Sequence, residues 1–129
     1  MDQLPPPLFN PQAADAEARG LLQPTSEDLS GLIAGWSGPR PLRVCSGGTS
    51  SRAAAAGQWT LDLRRTMTGI TWNAADQTVR IGGGCRMGQV LEQLHPLGRT
   101  VSAGLSGWPG VGYVLTGGMG PLSREHGLA

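Results

Sequence analysis

Apolar residues recur at helical spacing in two stretches of the chain. One stripe consists of Leu29, Leu32, Ile33 and Trp36, and the other of Met87, Val90, Leu91 and Leu94. Both follow the i, i+3, i+4, i+7 pattern of an amphipathic helix. Hydroxyl and acidic residues at 25–28 (TSED) precede the first stripe, which favours a helix start there. Glycine and proline follow each stripe, so the pattern predicts two helices with defined ends.

Between these stripes the chain contains short β-prone runs. Residues 21–24 and 41–45 are expected to be extended, and residues 59–63 (WTLDL) alternate like a half-buried strand. The runs at 69–73 and 78–81 flank AADQ, which predicts a hairpin. The first hundred residues therefore predict an α+β fold in which both helices pack on one small sheet.

A glycine turn follows the run at 41–45 and is the first candidate binding site. Its residues are Ser46, Gly47, Gly48, Thr49, Ser50 and Ser51. The two glycines allow positive φ without steric cost, and successive N–H groups in such a turn can form an anion nest. A phosphate or pyrophosphate suits this neutral, donor-rich hollow. An ordinary Gly/Ser turn remains the alternative interpretation of these six residues.

A second glycine-rich stretch covers residues 102–120. Glycine at this density is typical of places where something approaches the main chain closely. A flexible polar linker is the alternative, but Trp108, Val111, Tyr113 and other apolar residues are interleaved with the glycines. The dinucleotide fingerprint G-x-G-x-x-G is absent at the required spacing, which argues against a nucleotide-binding Rossmann unit.

Composition narrows the function classes further. The 129 residues carry a net charge of +1, which argues against a nucleic-acid partner, and all ten basic residues are arginine. Without lysine, a Walker-type phosphate loop and Schiff-base chemistry are excluded. Cys45 and Cys85 lack metal-binding spacing and are expected to be buried reduced thiols. No secretory signal or membrane-spanning run is recognisable, so a cytoplasmic protein with no membrane partner is expected.

Several motifs in their order along the chain resemble one family. They are SGGTS at 46–50, the strand ending in DL at 62–63, RIGGG at 80–84, and GGMGPLSR followed by GLA at 117–129. Together they are similar to the amino-terminal part of FAD-linked oxidases of the vanillyl-alcohol oxidase / p-cresol methylhydroxylase type, closest to the berberine-bridge-like branch. The resemblance covers roughly residues 20–129.

The resemblance implies a two-part FAD-binding domain. Residues 1–20 would form an N-terminal arm and residues 21–100 the small FAD-binding subdomain. Residues 101–129 would begin a second, larger α+β subdomain that is truncated here. In the family, the first glycine turn binds the FAD pyrophosphate, and the second stretch lines the flavin and ribityl chain. The second set of implied cofactor-binding residues is Gly104, Leu105, Ser106, Gly112, Gly117, Gly118 and Leu122.

Departures from the family pattern concern the flavin link. Many relatives attach FAD through a histidine directly after the two glycines, where this chain has Thr49. Some also use a cysteine of the second stretch, but no cysteine follows Cys85. Non-covalent FAD is therefore expected. His95, at a helix end, and His126 are assigned structural or surface roles. Arg124 is interpreted either as a phosphate or carboxylate partner or as part of a structural ion pair with Glu125 or another acid. No catalytic residue or metal ligand is predicted.

The implied function is the FAD-binding portion of a flavin-dependent oxidoreductase. Its parent would oxidise a small organic substrate, such as an alcohol, sugar or hydroxy acid, with hydride transfer to FAD. The family continues well beyond this length, so the chain alone is expected to be catalytically incomplete. Two alternatives stay open, namely a stand-alone flavin- or nucleotide-binding module and a non-functional remnant.

Overall fold

The computed structural model describes residues 20–38, 42–50 and 57–128. The strands are β1 (Gly20–Leu22), β2 (Arg43–Cys45), β3 (Trp59–Asp62), β4 (Ile70–Asn73) and β5 (Thr78–Ile81). The helices are α1 (Leu29–Ala34), α2 (Met87–Leu94), the 3-10 turn His95–Leu97, α3 (Val111–Val114) and α4 (Ser123–His126). The α+β class is confirmed, with the strands divided between two sheets. The predicted N-terminal arm, apart from its last residue, lies outside the described residues.

The first sheet has the order β1-β3-β2 and is parallel throughout. Its central strand is buried on both faces, because Thr60, Leu61 and Asp62 are each 3% exposed or less. The expectation of a half-buried strand was therefore wrong. The alternation of polar and apolar residues was misleading since Arg64 neutralises Asp62, with 2.7 Å between Arg64 Nη2 and Asp62 Oδ2. A paired carboxylate can occupy a buried position that an unpaired one cannot.

The second sheet is the predicted hairpin of β4 and β5. The strands pair antiparallel, with Ile70 opposite Ile81 and Asn73 opposite Thr78. The turn is stabilised by Asn73, whose Oδ1 accepts a hydrogen bond from the Ala75 amide at 3.0 Å. The apolar side chains of one face are half-buried against the core, while the alternate residues are exposed, which is the usual pattern for an antiparallel sheet.

The core forms around α2, whose predicted apolar stripe is confirmed. Its buried cluster consists of Cys85, Met87, Val90, Leu94, Ala103 and Val111. The last two residues belong to the segment 101–128, so this segment packs onto the same core as α2. The boundary near residue 100 stays a prediction. Gln89 Oε1 accepts a hydrogen bond from the Arg86 amide at 2.8 Å and so caps the start of the helix.

The other predicted helix, α1, is shorter than its stripe and has no fully buried residue. Leu29 and Leu32 are half-buried, while Ile33 is 47% exposed. Trp36 lies beyond the helix end and packs edge-on against Trp59, with ring centroids 5.7 Å apart. None of the helices among the described residues has the length and apolar character needed to cross a membrane.

Candidate functional site

The glycine turn lies at the carboxyl end of β2. Because β2 and β3 are parallel, the loops that follow them leave the sheet at the same edge. The Leu63 amide donates a hydrogen bond to the Cys45 carbonyl at 3.0 Å and so continues the pairing to this edge. In open parallel sheets, ligands bind outside the carboxyl ends of the strands. The turn therefore lies at the edge where ligands of such sheets bind.

The two glycines of this turn are both buried, and each is required for a different reason. Gly48 has φ +72°, the left-handed region that side chains with a Cβ resist. A Cβ atom at Gly47 would overlap the main chain of Gly110. Within the described part of the chain, the Gly47 amide donates no main-chain hydrogen bond, whereas the Gly48 amide faces the Cys45 sulfur. A buried N–H group needs an acceptor, so the Gly47 amide is suited to an anionic oxygen.

Cys45 lies directly before the turn and is 1% exposed. Burial raises the pKa of its thiol from 9.0 to about 11, and the Asp62 carboxylate also raises it. The Arg64 charge and the Gly48 N–H, which faces the sulfur, act in the opposite direction. The thiol is therefore protonated and unreactive at neutral pH. Cys45 and Cys85 are both buried and unpaired, which confirms the sequence expectation.

The turn forms one wall of a cleft of about 440 Å³. Its lining residues are Val44, Ser46, Gly47, Gly48, Thr49, Ser50, Gly110, Gly112, Tyr113 and Thr116. The two glycine-rich stretches, far apart in sequence, thus face each other across one cleft. No charged residue lines it among the described residues, so any ligand would be bound by dipoles and hydrogen bonds.

Ser46 connects the two walls of this cleft. Its hydroxyl donates a hydrogen bond to the Gly83 carbonyl oxygen. The Ser46 hydroxyl oxygen in turn accepts a hydrogen bond from the Gly112 amide at 3.3 Å. Three segments therefore meet at one side chain: the turn after β2, the loop before α2, and the start of α3.

The predicted site residues separate into two groups. Ser46, Gly47, Gly48, Thr49, Ser50 and Gly112 line the cleft, whereas Gly104, Leu105, Ser106, Gly117, Gly118 and Leu122 are not among its lining residues. Leu105 is 87% exposed, and the Ser106 hydroxyl accepts a hydrogen bond from the Trp108 amide at 3.2 Å. Ser51 lies outside the described residues.

Sequence reasoning missed three residues of the second wall: Gly110, Tyr113 and Thr116. Tyr113 is 64% exposed, although its position in an apolar run is typical of a core residue. Thr116 donates a hydrogen bond from its hydroxyl to the Tyr113 carbonyl at 2.6 Å. The G-x-G pattern at Gly110 and Gly112 was the available signal in the sequence. Its spacing did not indicate which other segment of main chain these glycines would pack against.

Part of the second glycine-rich stretch packs along the start of α2. The Met87 amide donates to the Pro109 carbonyl at 2.9 Å, and the Gly88 amide donates to the Gly107 carbonyl at 2.8 Å. A Cβ atom at Gly107 would lie 2.9 Å from Gly88 Cα. The first amides of α2 are therefore occupied by protein carbonyls, and this helix end has no free donors for an anion.

The remaining polar candidates lie outside the cleft lining. His95 ends α2, as expected, and is exposed. Arg124 is also exposed, and Glu125 Oε2 lies 4.0 Å from His126 Nε2. Arg86 stacks over the Trp108 ring at 5.2 Å. No group of His, Cys, Asp or Glu side chains in the described ranges is arranged to hold a metal ion.

Comparisons with known proteins connect this geometry to a family. Residues 20–129 match the model of a family described as an FAD binding domain. None of the curated proteins matches the chain. Among solved structures, 6-hydroxy-D-nicotine oxidase from Arthrobacter nicotinovorans is 33% identical with a TM-score of 0.63, and the match covers 67% of this chain and 20% of that one.

Two further structures extend the comparison. The glucooligosaccharide oxidase of Acremonium strictum is 31% identical with a TM-score of 0.73, covering 93% of this chain and 26% of that one; its FAD is described as 6-S-cysteinyl, 8α-N1-histidyl. A variant of Physcomitrella patens BBE-like 1 is 29% identical with a TM-score of 0.59, covering 67% of this chain and 20% of that one. The chain thus spans a fifth to about a quarter of these proteins.

These matches confirm the resemblance to FAD-linked oxidases that the motifs indicate. They agree with a small mixed α/β structure that corresponds to part of such an oxidase. Since the family match runs over residues 20–129, most of the chain, the chain belongs to the FAD binding domain family.

Proposed function

We propose that the chain is the FAD-binding portion of a flavin-dependent oxidoreductase whose parent oxidises a small organic substrate. The observation that carries the proposal is the neutral cleft between the buried glycine turn and the start of α3. An alcohol, sugar or hydroxy acid would be the substrate, and FAD supplies the hydride acceptor when bound. Substrate contacts and the catalytic groups would lie in parts of the parent beyond these residues, so this chain alone is catalytically incomplete.

The donor set of the turn fits a pyrophosphate. Gly47 contributes a buried amide without a main-chain partner in the described part of the chain, and Thr49 and Ser50 contribute hydroxyls. Main-chain dipoles can bind a phosphate oxygen without a counter-charge. A cleft of about 440 Å³ lies within the range of about 300–1,000 Å³ typical of small-molecule sites.

The second glycine-rich stretch would lie along the remainder of the nucleotide. Gly112 belongs to the cleft wall that meets the turn at Ser46. Gly104, Leu105, Ser106, Gly117, Gly118 and Leu122 stay proposed flavin contacts on the family resemblance. Main-chain donors near the flavin pyrimidine edge would stabilise the negative charge that develops during reduction.

The first test is FAD binding by the full chain and by Gly48→Val. A valine at φ +72° is strained and fills the hollow, so we expect at least about a tenfold loss of FAD affinity. The measurement is flavin fluorescence during titration. Gly98→Val is the matched control, because Gly98 has φ +63° and nothing within 4 Å of its Cβ position. Its stability should fall similarly while its FAD affinity stays near that of the unmodified chain.

The outcomes separate the three functions. Absence of FAD binding by the unmodified chain would contradict the proposal and favour a remnant. If Gly48→Val leaves FAD binding unchanged, the phosphate site does not lie at this turn. Turnover of candidate substrates by this chain would contradict its catalytic incompleteness. Binding by a parent protein that lacks oxidoreductase activity would favour a stand-alone flavin- or nucleotide-binding module.

We also propose that FAD is held without a covalent bond. Thr49 stands at the position where many relatives of this type have a histidine, and its hydroxyl is not a flavin attachment group. No cysteine follows Cys85 in the chain. Acid precipitation of the FAD-loaded protein should therefore leave all of the flavin in the supernatant. Yellow colour that stays with the precipitated protein would refute this proposal.

A further inference from the structure

The hydroxyl of Ser46 has a hydrogen-bonding inventory that limits what it can do. A serine hydroxyl has one proton to donate and lone pairs that accept. Its proton is directed at the Gly83 carbonyl oxygen, and a lone pair accepts from the Gly112 amide at 3.3 Å. The side that remains is a lone pair, which repels a phosphate oxygen. The hydroxyl is thus unsuited to contact an anion in the cleft.

We propose that Ser46 is a positioning residue, whose hydroxyl fixes the two walls of the cleft against each other and does not contact the ligand. The proposal rests on the proposed FAD site and assigns Ser46 a different role within it from that of the other turn residues. Through Gly112 the hydroxyl sets the position of α3, and through Gly83 it sets the loop that leads into α2.

Packing around Ser46 shows how closely the walls approach. A Cβ atom at position 112 would lie 3.3 Å from Ser46 Cβ. The adjacent Gly47 crosses the Gly110 main chain without room for a side chain. The two walls therefore touch along Ser46–Gly112 and Gly47–Gly110, and Thr49 and Thr116 are among the other residues that line the cleft.

A disulfide can replace the hydroxyl bridge and so test the proposal. The distance of 3.3 Å is close to the about 3.5–4.5 Å between Cβ atoms that a disulfide requires. The backbone at Gly112 is helical, without a positive φ, so a side chain is tolerated there. The double variant Ser46→Cys/Gly112→Cys would join the same two walls with a bridge that has no hydroxyl.

The experiment measures FAD affinity by fluorescence titration, with Ser30→Ala on the exposed face of α1 as the serine-to-alanine control. Ser46→Ala should weaken FAD binding about tenfold, since two hydrogen bonds are lost. The double variant should bind weakly when reduced and recover to within about threefold of the unmodified chain when oxidised. FAD binding by Ser46→Cys alone should not recover on oxidation. This single variant controls for side reactions between the new thiol and Cys45.

Each other outcome contradicts a defined part of the proposal. If Ser46→Ala binds FAD as tightly as the unmodified chain, the bridge does not set the cleft. If the crosslink forms, as shown by mass spectrometry, but binding stays weak, the hydroxyl itself contacts the ligand. If no crosslink forms, positions 46 and 112 are not adjacent. If the unmodified chain fails to bind FAD, the proposed function is wrong, while crosslink formation still reports on the geometry. Should Ser46→Ala not fold, the oxidised and reduced double variants still decide.

Discussion

The two glycine-rich regions look alike in sequence but differ in what their glycines contact. In the turn after β2, Gly48 adopts a positive φ and lines a cleft. In the second stretch, Gly107 packs against Gly88, and Gly110 packs against Gly47. The first region presents its main chain to a cavity, whereas much of the second presents its main chain to other parts of the same protein.

This difference changes what glycine density indicates. A run of glycines shows that something approaches the backbone closely, and in the second stretch the approaching group is often another backbone. At Gly120 a Cβ atom would overlap the Ala103 carbonyl. Gly104, by contrast, has no atom nearer than 3.8 Å to its Cβ position. Gly104 thus has room for a side chain, and packing within the described chain does not explain why this position is glycine.

The strongest test of this contrast is Gly110→Val compared with Gly104→Ala. A valine at 110 must displace the Gly47 main chain, and we expect a loss of more than about 4 kcal/mol in the free energy of unfolding, enough to prevent folding of a marginally stable domain. Alanine at 104 meets no close atom and should change the free energy of unfolding by less than about 0.5 kcal/mol. Urea unfolding followed by tryptophan fluorescence measures both.

FAD titration of the same two variants sharpens the comparison. If Gly104 contacts the flavin, Gly104→Ala should weaken binding without changing stability. A stable, well-folded Gly110→Val variant would contradict the crossing of the two main chains at Gly47. It would also remove the structural reason for the glycine at 110.

Much of the framework could be predicted from periodic patterns. The stripe from Met87 to Leu94 predicted α2 and its buried face, and the runs around AADQ predicted the β4–β5 hairpin. These elements were predictable because local spacing decides which side chains share a face. The first turn was also recognisable, since two glycines after a strand have few structural alternatives.

Other features depended on contacts that spacing does not contain. Asp62 suggested a solvent-facing strand position, and its burial follows from pairing with Arg64 two residues later. The bridge through Ser46 joins residues 66 positions apart in the chain, which no local pattern encodes. Tyr113 in α3 and Thr116 just beyond its end became candidates only because the structure places both in the lining of the cleft.

A smaller effect is expected at Cys45, which ends β2 directly before the first glycine turn. Because folding raises the Cys45 pKa from 9.0 to about 11, the unfolded chain loses this proton first as the pH rises. The free energy of unfolding should not depend on this thiol below about pH 9. Between about pH 9 and 11 it should fall by about 2 kcal/mol more in the unmodified chain than in Cys45→Ala. Urea unfolding at a series of pH values measures the difference between the two proteins. Parallel curves for both would show that the thiol is solvated.

The smallest expected effect concerns the central strand that supports the turn. Thr60 is 1% exposed, and its hydroxyl has no hydrogen-bond partner among the described residues. Thr60→Val keeps the shape of the side chain and removes this unpaired hydroxyl. We therefore expect the free energy of unfolding to rise by about 1 kcal/mol, seen as a higher melting temperature.

The control for this variant is Thr78→Val on the exposed side of β5, which should change stability by less than about 0.5 kcal/mol. Thr60→Ser keeps the hydroxyl and removes a methyl group, so it should lower stability by about 1 kcal/mol. This opposite sign separates packing from hydrogen bonding at one position. Destabilisation by Thr60→Val would mean that the hydroxyl has a hydrogen-bond partner and that the sheet beneath the first glycine turn depends on polar contacts.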